Sequence, residues 1–252
     1  MRMANKVAVV TGAGRGIGRA TALRFAREGA SVVVASQSLD NAQRTATLVE
    51  TEGHSALHIA VDVTRAEDVQ RMIHTVRDIY GHIDVLVNNA GVFRAGNAVN
   101  TTEEDWHRIM NVNLCGAWLC MKYTIPEMIR SGGGSIVNVS SEAGLIGIKD
   151  MAAYSSSKGG LIALTRSTAL EYVGNNIRVN CVCPGRTATD MVEQHIAESP
   201  DPIAARRELS ADRPMLRMGT VDEIANAILF LASDEASFAT GVILPVDGGI
   251  SV

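Results

Sequence analysis

The chain has 252 residues, of which 46% are hydrophobic and 20% are charged, and its formal net charge is −4 at pH 7. This balance is typical of a globular protein that buries a sizeable core, and we expect a single domain over residues 1–252. No run of lysines or arginines is long enough to follow a phosphate backbone, so nucleic acid is not an expected partner.

The apolar stretches indicate a protein that does not contact a membrane. The N-terminus enters a β-branched run at Val7, which leaves no room for the apolar region of a signal peptide. No stretch approaches the roughly 20 apolar residues of a membrane span. We therefore expect a cytoplasmic location.

The cysteines and histidines lack the spacing of metal ligands. Cys181 and Cys183 alternate in an apolar run, and no further cluster completes a ligand set with them or with Cys115 and Cys120. The six histidines are scattered along the chain. We expect buried, reduced thiols and no metal site.

Short β-branched runs alternate with longer stretches of helical period. This alternation predicts an α/β fold, a doubly wound parallel sheet of about seven strands with helices on both faces. The predicted strands span residues 7–12, 31–36, 56–63, 83–91, 135–141, 177–185 and 241–249. The predicted helices span residues 16–29, 39–52, 66–80, 103–130, 151–173 and 221–233.

Two features interrupt this regular alternation. Pro126 lies inside the fourth predicted helix and predicts a kink or an end there. Residues 188–218 are polar and are interrupted by three prolines. An insertion of this size after a sheet strand is typical of a loop that covers a substrate, and we call residues 188–218 the substrate segment.

A glycine-rich turn joins the first predicted strand to the first predicted helix. Glycines there allow a tight turn and a close approach of the backbone to a pyrophosphate, which the free amides of the helix N-terminus attract. An ordinary turn is the alternative, but the position between a strand and a helix favours a dinucleotide site. The residues predicted to hold the cofactor here are Gly12, Gly14, Arg15, Gly16, Ile17 and Gly18.

The end of the second strand bears on which nicotinamide cofactor binds. An acidic residue usually bonds the ribose of NAD at this position, but the sequence has Ser36 followed by Gln37. Arg15 and Ser36 can instead hold a 2′-phosphate, so we favour NADP(H) over NAD(H). Three alternatives remain: Arg15 is a solvated loop charge, the pocket accepts either cofactor, or Asp40 reaches the ribose.

Tyr154 and Lys158 are four residues apart at the start of a predicted helix, so they share one face of it. Ser140 and Ser141 end the preceding strand, where parallel strands line a ligand crevice. A phenol with a pKa near 10 is a poor base at neutral pH, and a nearby ammonium lowers that pKa. The arrangement therefore predicts proton transfer by Tyr154.

These motifs occur in an ordered set along about 245 residues. The set comprises TGAGRGIG, which fits TGxxxGxG and not GxGxxG, then NNAG at 88–91, NVNL at 111–114, SS at 140–141, YSSSK, PGRTATDM at 184–191 and VDGG at 246–249. The chain resembles the short-chain dehydrogenase/reductase family, and within it the 3-oxoacyl thioester reductases and secondary alcohol dehydrogenases.

The resemblance implies a role for each predicted catalytic residue. Ser141 would polarise the substrate oxygen, Tyr154 would exchange its proton and Lys158 would also bond the nicotinamide ribose. Asn113 would hold a water that links Lys158 to solvent. The alternatives are that either serine, Ser140 or Ser141, merely caps the strand end, and that Asn113 is a buried amide that repairs the helix backbone.

The resemblance also implies further cofactor contacts and an assembly. Asp62 and Val63 would contact adenine, Asn89 and Ala90 the adenosine side, and Thr189 the nicotinamide carboxamide. The remaining cofactor residues would be Gly91, Pro184, Gly185 and Thr187. Asn88 is expected to tie adjacent strand ends together. A homotetramer is implied, with the fourth and fifth helices in one interface and the sixth helix with the last strand in another.

The expected activity is hydride transfer between NAD(P)(H) and a small alcohol or carbonyl compound. A cofactor sensor without catalytic activity and a sugar epimerase or dehydratase are the alternatives, although the latter usually carry a larger C-terminal domain. Glu142 and Arg186 bring charge near the predicted pocket. They either select an acidic substrate or face water.

Overall fold

A seven-stranded parallel sheet forms the centre of the computed structural model, which describes residues 1–197, 199–211 and 213–252. The strand order is β3-β2-β1-β4-β5-β6-β9, so the predicted doubly wound sheet is confirmed. The sheet strands are β1 (Val7–Thr11), β2 (Ser31–Ser36), β3 (Ala56–Ala60), β4 (Val85–Asn88), β5 (Gly134–Val139), β6 (Ile177–Pro184) and β9 (Ile243–Val246). Two short strands, β7 (Thr187–Ala188) and β8 (Gly219–Thr220), pair separately at the two ends of the substrate segment.

Helices cover both faces of the sheet. They are α1 (Gly16–Arg27), α2 (Leu39–Thr51), α3 (Ala66–Tyr80), α4 (Glu103–Met110), α5 (Gly116–Ser131), α6 (Ala152–Tyr172), α7 (Asp190–Ala197), α8 (Pro202–Ala211) and α9 (Val221–Ala232). None of the helices within the described residues is long and apolar enough to cross a membrane.

Alternate residues of the central strands supply two separate cores. Val10 of β1 and Val34 of β2 pack in one core with Phe25 of α1. Val9, the neighbour of Val10, packs in the other core with Met128 of α5. Successive side chains of a strand point to opposite faces, which is why these apolar runs require helices on both sides.

The fourth predicted helix contains a local change of helical type. A π-helical turn, Asn111–Cys115, separates α4 from α5, and the backbone stays helical through it. The helix does not end at Pro126, because α5 continues to Ser131. Buried side chains on both sides of the proline, such as Ile125 and Met128, offset the lost hydrogen bond by packing against the core.

The substrate segment is more regular than its composition suggests. It contains α7 and α8 and is joined at its base by the pairing of Thr187 with Gly219 and of Ala188 with Thr220. Positions 198 and 212 of this predicted segment lie outside the described residues. The substrate segment therefore begins and ends at one small two-stranded sheet.

Candidate active site

A groove of about 660 Å³ opens where the strand order reverses between β1 and β4. Ligands bind at this switch point in open α/β sheets because two neighbouring connections leave in opposite directions. The predicted cofactor residues that line the groove are Gly12, Gly14, Arg15, Gly16, Ile17, Ser36, Asp62, Val63, Asn89, Ala90, Gly91 and Thr189.

The N-terminus of α1 in the described structure has free backbone amides facing this groove. Arg15 stands at the N-cap position without a side-chain hydrogen bond, and the first turn holds no acidic residue. By contrast, Ser38 caps α2 and Thr220 caps α9 with side-chain oxygens. Uncapped amides and the positive end of the helix dipole suit a pyrophosphate, so these residues fit a dinucleotide.

Gly18 does not line the groove, in contrast to the other glycines of the turn. A Cβ at Gly18 would lie 2.4 Å from both the Gly12 carbonyl oxygen and Asn89 Nδ2. Asn89 Nδ2 donates to the carbonyl oxygens of Thr11 and Gly12, at 3.0 and 3.2 Å. Gly18 thus allows α1 to pack closely on a turn that Asn89 holds in place.

Asn88 ties neighbouring strands together, as predicted. Its Nδ2 donates to Asn138 Oδ1 at 2.8 Å, and Asn138 Nδ2 donates to Thr165 Oγ1 at 2.9 Å. The Thr165 hydroxyl donates to the carbonyl of Leu161. This buried chain of polar groups links β4, β5 and α6 beneath the site.

The adenosine end of the groove is lined by Ser36 together with Gln37. Gln37 Nε2 lies 3.4 Å from Asp62 Oδ2, and the other oxygen of Asp62 accepts from Thr64. Asp40 is exposed in the first turn of α2. Residues that line the groove but were not predicted from the sequence are Gln37, Ser38, Asn41, Val61, Thr64, Val92, Arg108, Asn111, Val112 and Asp190.

These additional groove residues differ in how far the sequence could reveal them. Gln37 and Thr64 follow the ends of β2 and β3, so their position after a strand was a usable signal. Arg108 and Asn111 come from α4 and the π-helical turn, at a distance that only the tertiary fold determines.

A second cavity of about 230 Å³ adjoins the groove and shares five lining residues with it, Ile17, Asn89, Gly91, Val92 and Thr189. Val92, Phe93 and Val139 give it an apolar wall. The predicted residues that line it are Ile17, Asn89, Gly91, Ser141, Tyr154, Lys158, Pro184, Gly185, Thr187 and Thr189. The structure therefore brings the predicted serine, tyrosine and lysine together beside the groove.

Tyr154 and Lys158 lie on the first turns of α6. Lys158 Nζ is 5.7 Å from the centre of the Tyr154 ring and donates to the carbonyl oxygen of Val139 at 2.9 Å. The ring of Phe93 packs edge-on against Tyr154, with 5.1 Å between the ring centres. The ammonium thus lies near the ring face and is held by the end of β5.

The ionisation of this pair is governed mainly by burial. Burial lowers the pKa of Lys158 to about 8, while nearby Cys181 and Cys183 oppose this shift. Burial raises the pKa of Tyr154, the Ser141 hydrogen bond lowers it, and the charge of Glu142 raises it further. The expected lowering of the Tyr154 pKa by Lys158 is wrong for the protein without ligands, because loss of hydration is the largest influence.

The two adjacent serines have different environments. Ser140 Oγ donates to the carbonyl oxygen of Lys158 at 2.8 Å, which fixes β5 to α6. Ser141 Oγ accepts from the backbone amide of Ala143 at 3.2 Å and also interacts with Tyr154. The hydroxyl of Ser141 is therefore the one that faces Tyr154.

Asn113 is buried within the π-helical turn. Its Oδ1 accepts from Val92 N at 2.8 Å, and its Nδ2 donates to Val92 O at 2.9 Å and to Ser157 Oγ at 3.1 Å. Its partners are a loop and α6, so the alternative that it repairs its own helix backbone is wrong. A Cβ on Gly91 would lie 3.4 Å from Asn113 Oδ1 and 3.6 Å from Lys158 Nζ, so both atoms face the same glycine.

Glu142 and Arg186 both have partners within the protein. Glu142 is buried and forms an ion pair with Arg213, so the alternative that it faces water is wrong. Arg186 Nη1 donates to the carbonyl oxygen of Leu209 at 2.8 Å. The substrate segment supplies Arg213 and Leu209, which composition alone did not indicate.

The cysteines are unpaired, and Cys120, Cys181 and Cys183 are buried, whereas Cys115 is exposed. The sulfur atoms of Cys181 and Cys183 are 3.9 Å apart on one face of β6. Within the described residues, no group of three or more His, Cys, Asp or Glu side chains is placed to hold a metal ion.

Comparisons with known proteins show which family the chain resembles. A family model described as enoyl-(acyl carrier protein) reductase matches residues 12–251. The 2-(S)-hydroxypropyl-CoM dehydrogenase 3 of Xanthobacter autotrophicus is 41% identical over 251 residues, 99% of this chain and 98% of that protein. The meso-2,3-butanediol dehydrogenase of Serratia marcescens is 40% identical over 249 residues, 99% and 96% of the two chains.

A solved structure extends the similarity to the fold. The crystal structure of an NAD+-bound xylitol dehydrogenase has a TM-score of 0.92 and 36% identity, covering 99% of this chain and all of that one. The similarity in sequence and in fold thus extends over nearly the whole chain. The chain belongs to the short-chain dehydrogenase/reductase family, whose members use NAD(P)(H) to interconvert alcohols and carbonyl compounds.

Proposed function

We propose that this protein reversibly oxidises a small, uncharged secondary alcohol to a ketone, with Tyr154 as the group that transfers the proton. The observation that carries the proposal is that Ser141, Tyr154 and Lys158 line one cavity that adjoins the groove at the sheet switch point. A proton donor and a hydrogen-bond donor therefore lie beside the place for the cofactor.

Each catalytic side chain has a separate task in this reaction. Bound nicotinamide supplies the acceptor or donor of the hydride. Ser141 donates a hydrogen bond to the substrate oxygen, and Tyr154 gives that oxygen a proton during reduction or takes it during oxidation. The raised pKa of Tyr154 keeps the phenol protonated and ready for reduction. Lys158 stabilises the phenolate that forms, and Asn113 holds a water that links Lys158 to solvent.

The small cavity supports an uncharged substrate. Val92, Phe93 and Val139 provide apolar contact, while Glu142 pairs with Arg213 and is not available to a substrate. The related meso-2,3-butanediol dehydrogenase is named for an uncharged secondary alcohol. The substrate segment, residues 188–218, would close over a ligand of this kind.

NADP(H) is the proposed preferred cofactor. Arg15 is exposed at the groove, and Ser36 lines it at the end of β2, where NAD-dependent proteins usually have a carboxylate. A cation and a hydroxyl suit the two negative charges of a 2′-phosphate. The xylitol dehydrogenase is described with NAD+, so the preference in this chain depends on its own residues.

A homotetramer is the proposed assembly, and the cytoplasm is the proposed location. Exposed apolar side chains on α5, α6 and α9 support two interfaces, because such groups are usually covered in oligomers. They are Trp118, Ile129, Leu170 and Phe230. Light scattering coupled to size exclusion chromatography distinguishes a tetramer from a dimer or a monomer, and cell fractionation tests the location.

The decisive experiment measures hydride transfer as absorbance at 340 nm. Butane-2,3-diol and acetoin would be compared with lactate and pyruvate, each with NADP(H) and NAD(H). We expect turnover of the neutral pair, faster with NADP(H), and little turnover of the acids. In Tyr154→Phe we expect a loss of about 10²-fold to 10⁴-fold in kcat, with NADPH still bound.

The same assay separates this proposal from the alternatives. A sensor would bind NADPH without turnover of any substrate by the wild-type protein. Residual activity of Tyr154→Phe near the wild-type level would rule out its role in proton transfer. An epimerase or dehydratase would convert sugar substrates without net formation of NADPH, and the nearly full-length match to proteins named as dehydrogenases disfavours it.

A further inference from the structure

Glu142 connects the catalytic serine to a distant part of the chain. It directly follows Ser141 and opens the short helical turn Glu142–Gly144 after β5. Its carboxylate accepts a hydrogen bond from Arg213 Nη1, which belongs to the substrate segment 71 residues later. The exposed fractions of the two side chains are only 8% and 3%. This contact therefore joins the predicted active site to the substrate segment.

Two more charges act on the same carboxylate. Arg186 follows β6 and Asp247 follows β9, and both interact electrostatically with Glu142. We call Glu142, Arg186, Arg213 and Asp247 the charge cluster. It contains two positive and two negative groups; burial and Asp247 raise the pKa of Glu142, and the two arginines oppose this rise.

The cluster also contacts two other segments of the chain. Arg186 Nη1 donates to the carbonyl oxygen of Leu209 in α8. Asp247 accepts from the amide of Gly249 at 2.9 Å and from the hydroxyl of Ser251 at 2.5 Å. The loops after β5, β6 and β9 and the end of α8 are therefore joined through one set of charged side chains.

Stability alone is a weak reason for such a buried pair. Removing two charges from water costs several kcal/mol per ion, and apolar residues of similar volume are often as stable or more stable. A buried ion pair is, however, directional and tolerates only one relative placement of its partners. Such a contact suits a cover that must return to the same position in each catalytic cycle.

We propose that the Glu142–Arg213 ion pair positions the substrate segment over the small cavity, so that a bound substrate is held against Ser141 and Tyr154. Both are positioning residues, since they act through the serine, the tyrosine and the cover. This inference rests on the proposed function. It adds that substrate affinity depends on a contact that touches neither the cofactor nor the reacting atoms.

The test combines kinetics with proteolysis of the full-length protein. Glu142→Gln and Arg213→Gln would be compared with Glu52→Gln, which removes an exposed ion pair to Arg27 and lies outside the substrate segment. Trypsin can cut after exposed Arg206 and Arg207 on α8, so the cutting rate reports opening of the segment. Fluorescence titration of NADPH reports the cofactor groove.

We expect Glu142→Gln and Arg213→Gln to raise the KM for the alcohol by about tenfold or more, with the Kd for NADPH changed less than about twofold. Cleavage in α8 should be at least about fivefold faster than in the wild type, and Glu52→Gln should resemble the wild type. The KM and the cleavage rate of the double variant should not exceed those of the more impaired single variant, because the two substitutions remove the same contact.

Several results would overturn the proposal. Unchanged KM and cleavage in both single variants would show that the pair does not hold the segment. A matching loss of NADPH affinity would show that it supports the whole fold instead. If a single variant does not fold, the double variant, which leaves neither charge unpaired, gives the same readouts. Trypsin cleavage does not require turnover, so an inactive wild type would refute the proposed function and still leave this inference testable.

Discussion

The carbonyl oxygen of Val139, the last residue of β5, accepts a hydrogen bond of 2.9 Å from the ammonium group of Lys158 on α6. Burial lowers the pKa of this ammonium from its ordinary value of 10.5 to about 8. Lys158 is thus near the limit of being charged at neutral pH. Burying the charged form of Lys158 lowers the free energy of unfolding, and this loss should be measurable as a dependence of stability on pH.

For Lys158→Met we predict the loss of a specific pH dependence. Between pH 8 and 10.5 the folded wild type binds fewer protons at Lys158 than the unfolded chain does, so its free energy of unfolding rises with pH. The slope is up to about 1.4 kcal/mol per pH unit. Below pH 8 Lys158 is protonated in both the folded and the unfolded chain, so its effect on the free energy of unfolding is constant. Kcat should fall by about 10²-fold or more, since the phenolate loses its cation.

Urea unfolding of both proteins at pH values from 7 to about 10.5 measures this difference. Lys149→Met serves as the control, because Lys149 is exposed and its removal should leave the wild-type slope. Parallel curves for the wild type and Lys158→Met would contradict a lowered pKa.

Replacing the two adjacent serines should have unequal effects. Ser141→Ala removes the hydroxyl that faces Tyr154, and we expect kcat to fall by about 10²-fold to 10³-fold with little change in stability. Ser140→Ala removes the hydrogen bond to the Lys158 carbonyl and should lower the free energy of unfolding by about 1–3 kcal/mol. Steady-state kinetics and urea unfolding of both variants test the assignment, and the reverse pattern would refute it.

A carboxylate at position 36 should change the cofactor preference. Ser36→Asp places a negative charge at the end of β2, where it repels a 2′-phosphate and can bond a ribose hydroxyl. We expect NADPH to bind about tenfold or more weakly, with NADH affinity equal or improved. Ser36→Ala, which adds no charge, is the matched control. Equal NADPH affinity in Ser36→Asp and Ser36→Ala would mean that the phosphate does not lie near Ser36.

Gly18→Ala should be destabilising, although alanine favours helices. The new methyl group would lie 2.4 Å from the Gly12 carbonyl oxygen and from Asn89 Nδ2, and such overpacking costs about 1–3 kcal/mol or more. Gly174→Ala meets nothing within 4 Å and should change stability by less than about 0.5 kcal/mol. Thermal unfolding compares the two, and similar melting temperatures would contradict the close packing at Gly18.

Elements with a strong local signal were predicted well from the sequence. β2 is found at the predicted residues 31–36, and α3 at the predicted residues 66–80. The alternation of β-branched and helical periods determines these elements, because each buries its apolar face in only one way. The predicted strand over 83–91 is shorter in the structure, since β4 ends at Asn88 and the following residues turn into the groove.

Elements that depend on distant contacts were not predicted. The π-helical turn at Asn113 has no local sequence signal, and it carries an amide that bonds Val92 and Ser157. Arg108 reaches the groove only because α4 returns to the sheet there. Helical periodicity describes one element at a time and contains no information on contacts between elements.

The order of the motifs by itself determined the family, the parallel sheet and the pairing of Tyr154 with Lys158. These features follow from spacing along the chain, because four residues span one helical turn and a strand end opens onto a helix. Only the tertiary structure decided that Glu142 pairs with Arg213 and that burial raises the pKa of Tyr154. The ion pair and the pKa shift both depend on burial, which removes water from these side chains. Burial is determined only when segments distant in sequence pack together.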